Sequence, residues 1–243
     1  MSSKLSLKEQ FVLNFIEDNR WKYLVTGLGR TLLIAFFAVL IGTLIGVVVE
    51  IIRSTYDKNY ETMARRKNVG YYLLKLLNIL SKKYLTVFIG TPVVVQLLIA
   101  YFIIFASSTN GVMVASIAFG INSGAYVAEI LRGGIMAVDN GQFEAGRSLG
   151  FNYIQTMLYI IIPQVFKSVL PTLLNEFIAL LKETSVSGYV GIVDLTKGGD
   201  IIRGRTFSAF MPLFAVAVIY LAIVMLLTYL TGKLERRLRN NER

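Results

Sequence analysis

Apolar residues in this chain gather into long runs separated by shorter polar stretches. Four runs reach the roughly 20 residues that a helix needs to cross a bilayer core: 24–52, 85–107, 111–135 and 207–231. A fifth, 165–182, is interrupted by Pro171 and carries Glu176. The pattern predicts an all-α membrane protein, a single domain over residues 1–243 with about five transmembrane helices. The N-terminal stretch mixes acids with bases and lacks a compact apolar run before a small-residue cleavage site, so no cleaved leader is read there.

The polar stretches set the orientation, because short cytoplasmic loops collect Lys and Arg. Between the first two runs lie Arg53, Lys58, Arg65, Arg66, Lys67, Lys75, Lys82 and Lys83, against Asp57 and Glu61. That loop is expected inside, with the N-terminus outside. The stretch 136–163 then falls inside, as does the basic tail with Lys233, Arg236, Arg237, Arg239 and Arg243. Within the basic loop, 71–85 repeats Leu and Tyr at helical spacing between lysines, which reads either as an amphipathic helix on the inner surface or as the start of the second span.

Composition narrows the chemistry. Hydrophobic residues make up 55% of the chain and the mean hydropathy is +0.61, more than a soluble core of this size requires. The formal charge of +10 points to lipid headgroups and not to nucleic acid, since the positive residues sit between apolar runs and not along a repeated face. With no Cys and no His, disulfides, thiolate metal sites and the commonest general base are excluded.

The stretch 136–163 is polar in its first half and apolar in its second. Asp139 or Asn140 can cap a helix starting near Gln142, with Glu144 in its first turn; Gly146 and Gly150, four apart, would leave one face bare for another protein's backbone. A second helix begun by Asn152 should run to about Ile162, where Pro163 stops it. Glu144 and Arg147, at i and i+3, can alternatively form a solvated pair on a surface turn. The run Glu144-Ala145-Gly146, Gly150, Ile160 and Pro163 resembles the "EAA" loop of ABC importer permeases, written EAA, three residues, G, nine residues, I-x-L-P. Gly146 replaces the second Ala and Ile162 the Leu.

Residues 123–142, 90–96 and 175–185 are similar to the polar amino acid uptake group, although Ile89 stands where that group usually has Arg. The resemblance covers roughly residues 25–231. It implies a type I ABC importer permease whose coupling helix, with Gly141, Glu144, Ala145, Gly146 and Gly150, seats in an ATP-binding cassette subunit. It further implies a bacterial cytoplasmic membrane location, a second permease copy, identical or not, and an extracellular or periplasmic amino acid-binding protein. No P-loop occurs in the sequence, so no cofactor is expected in this chain, and ATP and Mg belong to the partner.

Polar groups inside spans default to bundle-interior or pathway positions. Gln96, Asn122, Ser123, Tyr126, Asn175 and Glu176 lie at comparable depth and could line a substrate path, with Glu176 tilting the choice toward a basic amino acid. Asn122 and Ser123 could equally well bond a neighbouring helix. Glu129 and Arg132 suggest an ion pair or inner gate, and the GxxxG at 42–46 suggests helix packing. The alternatives of another class are a membrane-embedded enzyme, for which only isolated acids remain, and a channel or scaffold, which has no use for a coupling helix.

Overall fold

The computed structural model describes residues 6–66 and 68–240. Lys67 and Arg243, two of the positive charges counted above, lie outside the described residues. Among the described residues every regular element is helical: α1 (Leu7–Phe11), α2 (Trp21–Arg66), α3 (Val69–Gly90), α4 (Val93–Ile99), α5 (Gly111–Met136), α6 (Asn140–Ser148), α7 (Tyr153–Thr156), α8 (Ile162–Glu183), α9 (Leu195–Thr206) and α10 (Phe210–Asn240). Four helical stretches are long and apolar enough to cross a membrane, and a fifth span arises if α3 and the helical segment beginning with α4 count as one.

Several boundaries depart from the sequence reading for identifiable reasons. Helix α2 runs unbroken for 46 residues, about 69 Å at 1.5 Å per residue and roughly twice a bilayer core. The expected basic loop is therefore mostly helix. Asn68 starts α3 by accepting a hydrogen bond from the Tyr71 N–H at 3.0 Å, so 71–85 belongs to one helix that continues to Gly90. The expected run 85–107 is broken at Thr91, which is extended at φ −122°. Pro92 follows it, and its ring disfavours a helical residue before it.

Pro163, expected to stop a helix, does not. A π-turn over Met157–Ile161 joins α7 to α8, and Pro163 lies in the first turn of α8, where a missing N–H costs little. Pro171 lies inside α8, which stays helical through it. Beyond α8, a 3-10 turn over Thr184–Val190 ends at Gly191 with φ +78°, a left-handed conformation glycine adopts without strain. Asp194 then caps α9: its Oδ1 accepts from the Lys197 N–H at 2.6 Å. Burial without a partner for Oδ2 holds its carboxyl well above the usual range, at about 6.

The chain forms two compact units, each assembled from three separate stretches, so no linear boundary exists for a sequence to display. One unit comprises Met1–Val39, Pro92–Gly120 and Phe177–Leu230. Phe119, Leu97, Ile34 and Leu180 form its larger core, and Leu24, Leu195, Ile202 and Val216 a smaller one. The other comprises Leu40–Thr91, Ile121–Glu176 and Thr231–Arg243, with clusters at Val49, Leu85, Ala125 and Ala128 and at Ile161, Val165 and Val169.

In this second unit the GxxxG does the packing expected of it. A Cβ on Gly42 would lie 3.0 Å from the Ser123 Cβ, and one on Gly46 would lie 2.6 Å from the Val127 Cγ1. Without those side chains α2 and α5 approach backbone to backbone, which fixes where Ser123 sits.

Candidate functional site

Helix α6 is short because both its ends are specified. Asp139 caps it, its carboxylate accepting from the Gly141 N–H at 2.5 Å. At the far end Gly150 takes φ +81°, while its N–H bonds the Arg147 carbonyl at 2.9 Å and the Phe151 N–H bonds the Gly146 carbonyl at 3.0 Å. This paired closure is the Schellman termination, and it requires a residue at ease in the left-handed region. Asn152 then starts α7 in a capping box with Gln155. The helix-turn-helix expected from the spacing is present.

Its details differ from expectation. The helix begins at Asn140, so Glu144 lies in the second turn and not the first. Gly150 lies beyond the helix end, so it shares no helical face with Gly146. Gly146 is buried, and a Cβ there would meet the Thr156 Cγ2 and Oγ1 at 2.7 Å. The bare face at Gly146 is thus filled by α7 of the same chain. What α6 offers to a partner is its other side, where Gly141, Gln142, Glu144, Ala145 and Ser148 are exposed. Among the described residues no ion pair joins Glu144 to Arg147.

A strut braces this motif. The Lys58 ammonium, on the continuation of α2, lies 4.8 Å from the ring centroid of Phe143 and 5.7 Å from that of Tyr153, within cation–π range. Arg53 pairs with Glu129 at 2.7 Å and Arg132 with Asp57 at 2.9 Å. Glu129 and Arg132 therefore do not form the mutual pair expected from their spacing. Both face α2, whose Arg53 and Asp57, one turn apart, reach them in matching register. In the sequence Arg53 and Lys58 stand only as loop charges. The signal available was the helical spacing of Arg53 and Asp57, i and i+4, against that of Glu129 and Arg132, i and i+3 on α5.

The polar cluster is partly assembled. Within the second unit the buried Ser123 hydroxyl donates to the Glu176 Oε1 at 3.2 Å. The buried Asn122 amide donates to the Phe88 carbonyl at 3.0 Å, the interhelical role weighed as its alternative. The Tyr84 hydroxyl, missed by sequence reasoning, donates to the Ile121 carbonyl at 2.5 Å. Tyr126 and Asn175 lie in the same unit with exposed side chains, and Gln96 lies on α4 of the other unit. The arrangement in the second unit is a carboxylate that accepts from a buried hydroxyl at a close helix crossing.

Comparison with known proteins fits this geometry. Residues 62–240 match the family described as the inner membrane component of binding-protein-dependent transport systems. A putative glutamine transport system permease protein of Rickettsia felis is 33% identical over 89% of this chain and 93% of its own length. The arginine transport system permease protein of Bacillus subtilis is 31% identical over 90% and 94%. Among solved structures, the crystal structure of an amino acid ABC transporter with histidines aligns at 36% identity and TM-score 0.78, covering 92% of this chain and 98% of that one. An inward-facing MetNI methionine ABC transporter, at 17% identity and TM-score 0.70, shares the fold. A chain with several membrane-spanning helices, an exposed capped helix after α5 and relatives of this kind over nearly its whole length belongs to the inner membrane components of binding-protein-dependent transport systems, as a permease of the amino acid ABC importer group.

Proposed function

We propose that this chain forms one half of a translocation path for polar amino acids and that α6 is the knob through which an ATP-binding cassette subunit moves it. The observation that carries this reading is the build of α6: a helix of nine residues, closed at both ends, docked at its one buried glycine and exposed along Glu144 and Ala145. Such a rigid short element transmits a displacement where a flexible loop would absorb it. ATP and Mg then belong to the partner subunit, which performs the hydrolysis. A second permease copy completes the path, and an extracellular or periplasmic binding protein delivers the substrate. The stretch from Ala137 to Phe151 and the basic C-terminal end of α10 face the cytoplasm, and the N-terminus faces outside, in agreement with the Lys and Arg distribution.

The Ser123–Glu176 pair supports a substrate contact. A carboxylate within a span is costly unless it meets a cation, and an amino acid supplies one in its ammonium. Glutamine and arginine, the substrates named for the relatives above, both carry it. The second cation of arginine favours the basic class at a site with a carboxylate. Glu176→Gln keeps an acceptor for the Ser123 hydroxyl and removes the charge. Uptake of a basic amino acid by the reconstituted complex should fall about tenfold, on the order of 1.4 kcal/mol, while the ATP-binding subunit still co-purifies. Unchanged uptake would remove Glu176 from the path.

A further inference from the structure

Beside α6, Lys58 and Arg147 line a cavity of about 200 Å³ together with Phe143, Tyr153 and Thr156. The volume is roughly seven times a water molecule's share of liquid volume, and the lining holds no acid. All five residues belong to the second unit. Lys58 and Arg147 are both exposed, so their charged groups are accessible from the cavity mouth. The Lys58 ammonium is held at the wall by two of the lining rings, 4.8 Å from the Phe143 centroid and 5.7 Å from that of Tyr153. Such contacts orient an ammonium without consuming its N–H donors.

The nearby acids are committed elsewhere. Asp57, next to Lys58, pairs with Arg132 at 2.9 Å, and Glu129 pairs with Arg53 at 2.7 Å. Among the described residues no carboxylate pairs with Lys58 or Arg147. An occupant complementary to this wall is an anion with several acceptor oxygens, since an ammonium and a guanidinium both bind such oxygens by charge-assisted hydrogen bonds.

The position says which anion. Two helical stretches long and apolar enough to cross a membrane meet at this cavity: Trp21–Lys58 ends on Lys58, and Tyr153–Val190 begins on Tyr153. The level where spans end is that of the lipid headgroups, where positive and aromatic side chains collect. Past Tyr153 the second stretch shows Ile154 and Leu158 at 66% and 53% exposure, four residues apart and so neighbours along the helix surface. A free anion has no use for that apolar strip, whereas an acyl chain does.

We propose that this cavity binds one anionic phospholipid, its phosphodiester on the Lys58 ammonium and the Arg147 guanidinium and an acyl chain along Ile154 and Leu158. A zwitterionic phospholipid carries the same phosphate with a cation attached, which two positive side chains repel. Lys58 belongs to α2 and Arg147 to α6, so the headgroup ties the two helices together. The site goes beyond the transport reading above and does not rest on it.

The test is native mass spectrometry of the full chain, released from detergent micelles that hold equal amounts of dioleoyl phosphatidylglycerol and dioleoyl phosphatidylcholine. Wild type should bind the glycerol lipid about tenfold more tightly than the choline lipid. Arg147→Gln and, separately, Lys58→Gln should each remove most of that preference, and Arg147→Lys, which keeps the charge, should retain more of it than Arg147→Gln. Arg147→Gln should also keep the wild-type thermal midpoint, so it decides the matter if Lys58→Gln loosens the ring contacts. Lys233→Gln, an exposed cation near the end of α10, is the control and should behave as wild type. A preference absent from wild type, unaffected by Arg147→Gln, or lost equally in Lys233→Gln would overturn the proposal. Release of the lipid by sn-glycerol 3-phosphate, which has no acyl chain, would mean a free phosphate site. Release on adding the ATP-binding subunit would assign the two cations to a carboxylate of the motor, and chains that dimerise without lipid would assign the cavity to a second copy; all three overturn it. Because the readout is lipid on the isolated chain, a preference that depends on Arg147 alongside unchanged uptake by Glu176→Gln would leave the lipid site standing and the substrate contact wrong, and the reverse pattern would do the opposite.

Discussion

Gly146→Ala should uncouple the transporter while leaving the chain in the membrane. The added methyl would stand 2.7 Å from both the Thr156 Cγ2 and Oγ1 and 3.2 Å from its Cβ. Thr156 cannot rotate away at no cost, since its hydroxyl donates to the Asn152 carbonyl at 3.0 Å. Overpacking of this kind costs about 1–3 kcal/mol. Here it falls on the contact that fixes α6 against α7. Substrate-stimulated ATP hydrolysis in the reconstituted complex should fall about tenfold or more, a difference on the order of 1.4 kcal/mol or above. Adding Thr156→Ala removes the two closest atoms and should restore most of the coupling. A single variant that couples normally, or a double variant no better than the single, would show that the Gly146–Thr156 contact does not position α6.

Gly46→Leu should have the largest effect on the protein itself. A Cβ there would meet the Val127 Cγ1 at 2.6 Å and the Ala128 backbone nitrogen at 3.0 Å. Backbone cannot move aside as a side chain can, so α2 and α5 must separate, and the Gly42–Ser123 contact one turn away separates with them. The cost should exceed the 1–3 kcal/mol of ordinary overpacking. The purified chain should show a thermal midpoint lower by several degrees, about what 1 kcal/mol or more produces in a protein of this size, and a reduced yield in the membrane fraction. Gly29, on the same helix, has nothing within 4 Å of its Cβ position, so Gly29→Leu is the matched control and should be close to wild type. Equal stability of the two variants would contradict the packing role of the GxxxG.

These two glycines also show what was legible in the sequence. The 42–46 spacing announces close helix packing, and the structure supplies the partner, α5. At 146 the spacing shows a bare face and suggests another protein for it, whereas α7 fills it, because periodicity says that a face is small without saying which element fills it. The capping residues Asp139 and Asn152 and the helix-turn-helix were readable, since each depends on side chains within three residues of the backbone they satisfy. Pro163 misled because its effect depends on the turn before it: the π-turn at Met157–Ile161 has no marker in composition. Hydropathy ends the first span where apolar residues end and so leaves Arg53, Asp57 and Lys58 as loop charges. The helix does not end there; it continues as a strut toward Phe143 and Tyr153. Glu176 and Ser123 are readable as polar groups in spans, but their hydrogen bond joins positions 53 residues apart, which no local pattern near 123 reveals.

A cytosolic contact between α6 and a separate motor can be captured covalently. Because the chain has no cysteine, Ala145→Cys gives a single thiol on the exposed side of that helix. In sealed inside-out vesicles containing the complete transporter, a membrane-impermeant bifunctional reagent should join this thiol to the ATP-binding subunit, with the yield changing when ATP is added. Labelling of the thiol only from the extracellular side, or a cytosolic thiol that never joins a nucleotide-hydrolysing protein, would contradict the account.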